Sequence, residues 1–352
     1  MIPARDSWIN PALALLLCAV AGAAFAWLKT PLPWMLGPLV AMAACNFAGG
    51  ALRAAPGGRE TGQVVIGTAL GLYFTPAVAR EVAGYWPLLV LAALFAILLG
   101  VFGGWTLRRI AGTDPTTAFF ASVPGGATEM TLQGERLGAR PDRVALAQSL
   151  RILMVVMFVP LALSYSGAHG SDNYQPAALP LRWQGLATLL VLSAAAGFAF
   201  QRLRIPNAFM FGPLAVVIPL TTAELQFSSL PTLLSNCAQV LLGCALGARF
   251  ERRSLAAAPR YVAGVLASVI VAIVLSAGFA VALAWFSGIA WPTLVLALAP
   301  GGIAEMCITA KVLQLGVPLV TAAHVVRVLI LITTTGASFR AARQLRRRFR
   351  PD

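Results

Sequence analysis

Histidine occurs only twice in the 352 residues, at His169 and His324, which excludes a metal centre built on several histidines. Acid is scarce as well: 12 Asp and Glu stand against 26 Lys and Arg, and charged residues make up 11% of the chain. A soluble domain of this size needs far more polar surface to cover itself. The five cysteines (Cys18, Cys45, Cys237, Cys244, Cys307) lie within or beside apolar segments. They have neither the spacing of a disulfide framework nor a CxxC pair, and read as small hydrophobes. What is abundant is apolar: 59% of residues are hydrophobic and the mean hydropathy is +0.81. The chain is an integral membrane protein. Its formal charge of +14 raises nucleic acid as a partner, but the basic residues fall in short clusters between apolar runs. They read as topology signals, and no direct nucleic-acid contact is expected.

The chain is duplicated. Pro124-Gly125-Gly126-Ala127-Thr128-Glu129-Met130 returns as Pro300-Gly301-Gly302-Ile303-Ala304-Glu305-Met306. Met35, Gly37, Pro38 and Leu39 return as Met210, Gly212, Pro213 and Leu214, an offset of 175. Gln63, Gly67, Gly71 and Arg151 return as Gln239, Gly243, Gly247 and Arg327, an offset of 176. A repeat of this length means two equivalent bundles and not a solenoid of small units. The boundaries drawn from it are a first repeat over 10–166, a second over 184–339 and a basic tail over 340–352.

Each half reads as about five spanning helices and one broken element. The first-half runs are roughly 11–28, 33–51, 61–79, 84–107 and 143–165, interrupted at 115–140. Those of the second half are roughly 185–202, 207–226, 232–250, 261–286 and 318–338, interrupted at 291–316. The first run resembles a secretory leader, but its internal counterpart at 185–202 favours a retained helix. An odd number of spans per half inverts the second copy, and the basic residues test this. With the tail (Arg340, Arg343, Arg346, Arg347, Arg348, Arg350) in the cytoplasm, twenty basic residues fall inside, including Arg5, Arg252 and Arg253. Only Lys29, Arg80, Arg182 and Lys311 fall outside, with Arg151 and Arg327 left in the membrane. The expected fold is therefore all-α, two inverted repeats of about five transmembrane helices, each with a re-entrant broken helix at Pro-Gly-Gly. Both termini are expected in the cytoplasm.

At each break proline removes a backbone donor and the glycines favour a turn. A helix restarting at Ala127 or Ile303 aims free amides and a positive dipole end at the break, where an anion is attracted. Pro124, Gly125, Gly126, Thr128, Pro300, Gly301 and Gly302 are the candidate backbone of the site. Glu129 and Glu305 sit in the first turn of the restarting helices, either handling an ion or proton or stabilising their own helix. Arg151 and Arg327 lie in long apolar helices and require an anion, carbonyls or water. Pairs Glu129 with Arg151 and Glu305 with Arg327 leave an empty site neutral, as a substrate contact or as a structural salt bridge; snorkelling is a third option. Gln148 and His324 each precede the arginine by three residues and share its helix face. Gln63, Gln239 and Asn236 are further polar candidates, and the GxxxG pairs Gly67/Gly71 and Gly243/Gly247 read as close helix packing. Re-entry from opposite faces brings the two breaks together near the midplane, the expected position of the site.

The doubled Met-x-Gly-Pro-Leu and Pro-Gly-Gly-x-x-Glu-Met motifs, each followed by the intramembrane arginine, resemble the bacterial AbrB-type membrane duplication family. Its members are labelled ammonia monooxygenase or AbrB family regulator; nothing in this chain resembles the small soluble DNA-binding protein that shares the name. The resemblance covers nearly the whole chain and implies an influence on gene expression, but it brings no catalytic residues. A secondary transporter of a small organic anion, with proton or sodium coupling, explains the duplication, breaks, acids and arginines together. A membrane-embedded sensor or regulator is the alternative. An oxygenase needs metal or cofactor ligands that two histidines do not supply, so no enzyme activity, metal or cofactor is expected. The expected partners are a small-molecule or ion substrate and the lipid of a bacterial inner membrane, with homo-oligomer assembly left open.

Overall fold

A computed structural model describes residues 6–50, 52–168, 170, 179–225, 227–250 and 258–349. His169 and the topology markers Arg5, Arg252, Arg253 and Arg350 lie outside the described residues, and residues 340–349 are described in backbone only. Among the described residues there are fifteen helices and no strand. The first eight are α1 Asp6–Trp27, α2 Pro33–Phe47, α3 Gly58–Gly71, α4 Pro76–Gly84, α5 Trp86–Ala111, α6 Pro115–Ser122, α7 Ala127–Arg136 and α8 Pro141–Tyr165. The remaining seven are α9 Trp183–Arg202, α10 Ala208–Thr222, α11 Thr232–Gly247, α12 Pro259–Ser287, α13 Trp291–Leu298, α14 Ile303–Val312 and α15 Val317–Phe349.

Six of these are long and apolar enough to cross a membrane: α1, α5, α8, α9, α12 and, over Val317–Gly336, α15. The chain is a multi-pass membrane protein by the length and composition of its helices. The run expected as one span over 61–79 is not continuous. Its helix stops at Gly71 and the chain turns by 92° into α4, which opens with Pro76. Three further apolar helices, α2, α10 and α11, are only 15, 15 and 16 residues long. The last run, expected to end near 338, continues as helix to Phe349.

Several long helices carry arginine at one end and an exposed aromatic at the other. α5 runs from Trp86 to Arg108 and Arg109, α9 from Trp183 to Arg202, and α12 from Arg260 to Trp285. Indole rings favour the headgroup level, and arginine favours the cytoplasmic side. Between these ends, exposed Leu91, Leu94, Leu98, Ile270 and Val274 present an apolar surface suited to lipid.

Packing divides the described chain into two compact units, each drawn from both halves of the sequence. In the first unit α1 packs on α2 and α9 on α10, while α11 packs on α2 and α3 on α10, a reciprocal exchange between equivalent elements. Glycine makes these approaches close. A Cβ on Gly37 would lie 2.6 Å from Ala21 O, one on Gly212 2.5 Å from Gly197 N, and one on Gly67 3.1 Å from Met210 O. Gly243 faces the backbone oxygen of Met35 and Gly247 that of Leu39, so both GxxxG pairs are packing surfaces. Buried Thr68, which gives its proton to Val64 O at 2.7 Å, accepts a hydrogen bond from Ser193 Oγ at 2.9 Å, joining α3 to α9. The second unit holds α5, α6, α7, α12, α13, the first part of α8 and most of α15. Its core surrounds the first break: Ala96, Phe120, Val123, Met130, Val144 and Leu331 pack together.

Candidate functional site

The first break is a local consequence of Pro124. Asp114 accepts from Thr117 N at 2.8 Å and starts α6 as its N-cap, with Pro115 following. Eight residues later, Val123 turns to φ −63°, ψ 128°, the extended conformation that a residue before proline prefers. A continuing helix would place an amide of residue 124 on the carbonyl of Phe120, but proline has none. Gln148 of α8 supplies the missing donor: its Nε2 lies 2.8 Å from Phe120 O and 3.0 Å from Val123 O. One turn on, Arg151 donates Nη1 to Val123 O at 2.8 Å and Nη2 to Gly125 O at 3.1 Å. A cation at a helix C-terminus also meets the negative end of its dipole.

The second break repeats this chemistry with one substitution. The amide missing at Pro300 leaves Leu296 O, and His324 Nε2 stands 2.9 Å from it. Because a carbonyl only accepts, Nε2 carries the proton of that ring. Arg327 donates Nη1 to Ala299 O at 2.6 Å and Nη2 to Gly301 O at 2.7 Å. Ala299 has φ −54°, ψ 136°, matching Val123. Gln148, Arg151, His324 and Arg327 are all buried, at 0%, 3%, 0% and 3% exposure.

The expected ion pair between Glu129 and Arg151 does not form. Arginine's fork fits two carbonyls spaced two residues apart, and these are already at hand with no carboxylate to desolvate. Among the described residues the only ion pair within 4.0 Å is the exposed Arg140–Asp142, at 3.4 Å. None of Gly125, Gly126, Gly301 and Gly302 has a positive φ, so they do not make a left-handed turn. Gly125 packs closely on Met130: a Cβ there would lie 2.8 Å from its Cγ, Sδ and Cε, so that side chain would have to move.

After the break α7 restarts behind Gly126, which offers no side-chain cap, so its first-turn amides are not taken up by a capping side chain. Thr128 is exposed, and Glu129 and Gly126 are half-buried. In the second half Glu305 and Gly302 are half-buried, while Pro300 and Gly301 are buried. α14 packs against α3. Its Lys311 donates to Ser235 Oγ, near the start of α11, at 3.4 Å. Its Glu305 acts on Arg249, just past the end of α11. α14 therefore runs antiparallel to α11 within its unit. Burial, and next to it Arg59, hold the Arg249 guanidinium below its ordinary range, while Glu305 and Glu60 act in the opposite sense. Arg249 was legible in the sequence only as a cytoplasmic charge. At the 176 offset its counterpart is Tyr73, so the two halves differ where the second one faces an acid. Gln63, Gln239 and Asn236 remain helix residues of the first unit, and no hydrogen bond assigns them to either break.

An all-helical, multi-pass protein with two proline-broken elements, each held open by a buried arginine and a neutral donor, is the class that these observations define. Residues 34–343 match the family model described as transition state regulatory protein AbrB, and the chain belongs to that AbrB family. It is 28% identical over 303 residues to the uncharacterized protein YhjN of Bacillus subtilis (strain 168), covering 81% of this chain and 78% of that one. It is 26% identical over 307 residues to an Escherichia coli (strain K12) protein whose name marks it as a candidate regulator, AbrB. That alignment covers 86% of this chain and 88% of the other.

Proposed function

We propose that this protein is a secondary transporter of a small organic anion in the cytoplasmic membrane, with both termini in the cytoplasm. Proton or sodium coupling runs through Glu129 and Glu305. The observation that carries this reading is the division of labour at the breaks. The arginine forks and the Gln148 and His324 donors are spent on carbonyls just before and within each break. The amides and carboxylates downstream are left to meet a ligand. Broken helices of this kind are tolerated at membrane depth where they line protein or water, and half-helix N-termini there suit anionic substrates.

The roles follow from that division. Gly125, Gly126, Gly301, Gly302 and Thr128, with the first-turn amides, contact the solute; Glu129 and Glu305 take the coupling ion. Arg151, Arg327, Gln148 and His324 hold the breaks in shape, and Pro124 and Pro300 create them. No catalytic residue is proposed. The equal offset between all these contacts, together with the basic ends of the long helices, supports inverted repeats. A sensor that influences gene expression is the second reading, favoured by the family description and by the name of the Escherichia coli relative.

Reconstituted liposomes distinguish the two readings. Uptake of labelled small carboxylates, driven by a proton or sodium gradient, is expected for the wild-type chain and should fall at least tenfold in Glu129→Gln and Glu305→Gln. Undiminished flux in both variants removes the coupling role of the acids. Absence of flux for every solute, with a transcriptional response intact, selects the sensor.

A further inference from the structure

The second unit holds a small cavity bounded by Leu107, Ala121, Ser122, Arg151, Val265 and Ser268, among others, and by none of residues 124–129. The centre of a water-sized sphere has about 10 Å³ in which to move there, room for one water or one monatomic ion. Arg151 is 3% exposed. Its two terminal nitrogens are engaged with Val123 O and Gly125 O, whereas its buried Nε has no partner. Ser122 Oγ is likewise buried and without a partner. Ser268 has already given its proton to Gly103 O at 3.0 Å.

The unused donors at this cavity are therefore two, Arg151 Nε on a buried cation and the Ser122 hydroxyl, while the serine oxygens keep acceptor lone pairs. No carboxylate lies within ion-pair distance of that cation among the described residues, and Arg327 acts on it with a like charge. Water would satisfy the hydrogen bonds but supply no counter-charge; the two carbonyls and the helix dipole offset the buried guanidinium only in part, and an anion completes the compensation. Polyatomic anions, including any carboxylate solute, exceed the space.

We propose that this cavity is a site for one monatomic anion, chloride under ordinary conditions, held by Arg151 Nε and Ser122 Oγ. It is a fixed counter-ion that braces the arginine on the first break, and it does not depend on whether the protein transports a solute. No equivalent is proposed for the second half, where position 298, the counterpart of Ser122, is leucine.

Thermal unfolding of the purified full-length protein, with chloride exchanged for gluconate at constant ionic strength, tests stabilisation. Bromide with anomalous diffraction tests location. The unfolding temperature should rise saturably with chloride or bromide. Ser122→Ala should weaken the apparent halide affinity at least tenfold, while Ser268→Ala, which removes no free donor, should keep it. A bromide peak beside Arg151 Nε supports the site. A cavity holding only water, identical unfolding in both salts, or an unchanged halide response in Ser122→Ala overturns it.

Discussion

Gln148 is the most informative residue to perturb, because its work can be stated atom by atom. Its amide stands in for the N–H that Pro124 lacks, at 2.8 Å from Phe120 O, while its own Oε1 is buried without a partner. Gln148→Leu strands Phe120 O. Val123 O is less affected, since it keeps Arg151 Nη1 at 2.8 Å and Gly125 N at 2.8 Å. One buried carbonyl without a donor costs about 1–3 kcal/mol, or roughly 2–8 °C in unfolding temperature. Gln148→His should restore most of that loss, because His324 already performs the same task on Leu296 O. Pro124→Ala offers a second rescue by returning an amide to position 124. In that background Gln148→Leu should cost less than in the wild type, a coupling readable from a double-mutant cycle. The assay is thermal unfolding of purified protein in detergent. The reasoning is refuted if Gln148→Leu is as stable as wild type, or if Gln148→His is as damaging as Gln148→Leu.

Arg151→Lys should also destabilise, by about 1–3 kcal/mol, since a single ammonium cannot bridge Val123 O and Gly125 O as a planar fork does; unfolding temperature again reads it. Gly243→Ala forces a Cβ onto Met35 O and within 3.0 Å of Pro38 Cβ. Over-packing against rigid backbone typically costs about 1–3 kcal/mol, whereas Gly84→Ala, which meets nothing within 4 Å, should leave unfolding unchanged. Deleting the chain after Ala342 should leave solute flux intact and shift only membrane orientation or anionic-lipid binding, measured by protease protection and liposome flotation.

Much of this architecture was legible because lipid imposes simple rules on sequence. Long apolar runs, prolines with paired glycines and a repeated offset located the breaks, and the positions of most helix ends followed within a few residues. The bend after Gly71 was hidden by a run that stays apolar through Leu72, Tyr73 and Phe74. Carbonyls stood among the partners open to Arg151, but which ones it takes, Val123 O and Gly125 O, was hidden for a different reason: backbone acceptors are invisible as residue types. A usable signal did exist, since a proline at position 124 predicts an orphan acceptor at Phe120, and the same arithmetic from Pro300 gives Leu296. Arg249 carried no such signal, because its nearness to Glu305 arises from packing within the first unit and not from any local pattern.

The transport reading rests on the two breaks opening to opposite faces of the membrane, and single cysteines examine that most directly. In a chain whose native cysteines have been replaced, Thr128→Cys and Gly302→Cys are labelled by an impermeant thiol reagent in right-side-out and inside-out vesicles. The first should react from the cytoplasmic face and the second from the external face, each protected by a transported solute. Reaction of both from the same face contradicts the inverted arrangement and, with it, the proposed mechanism.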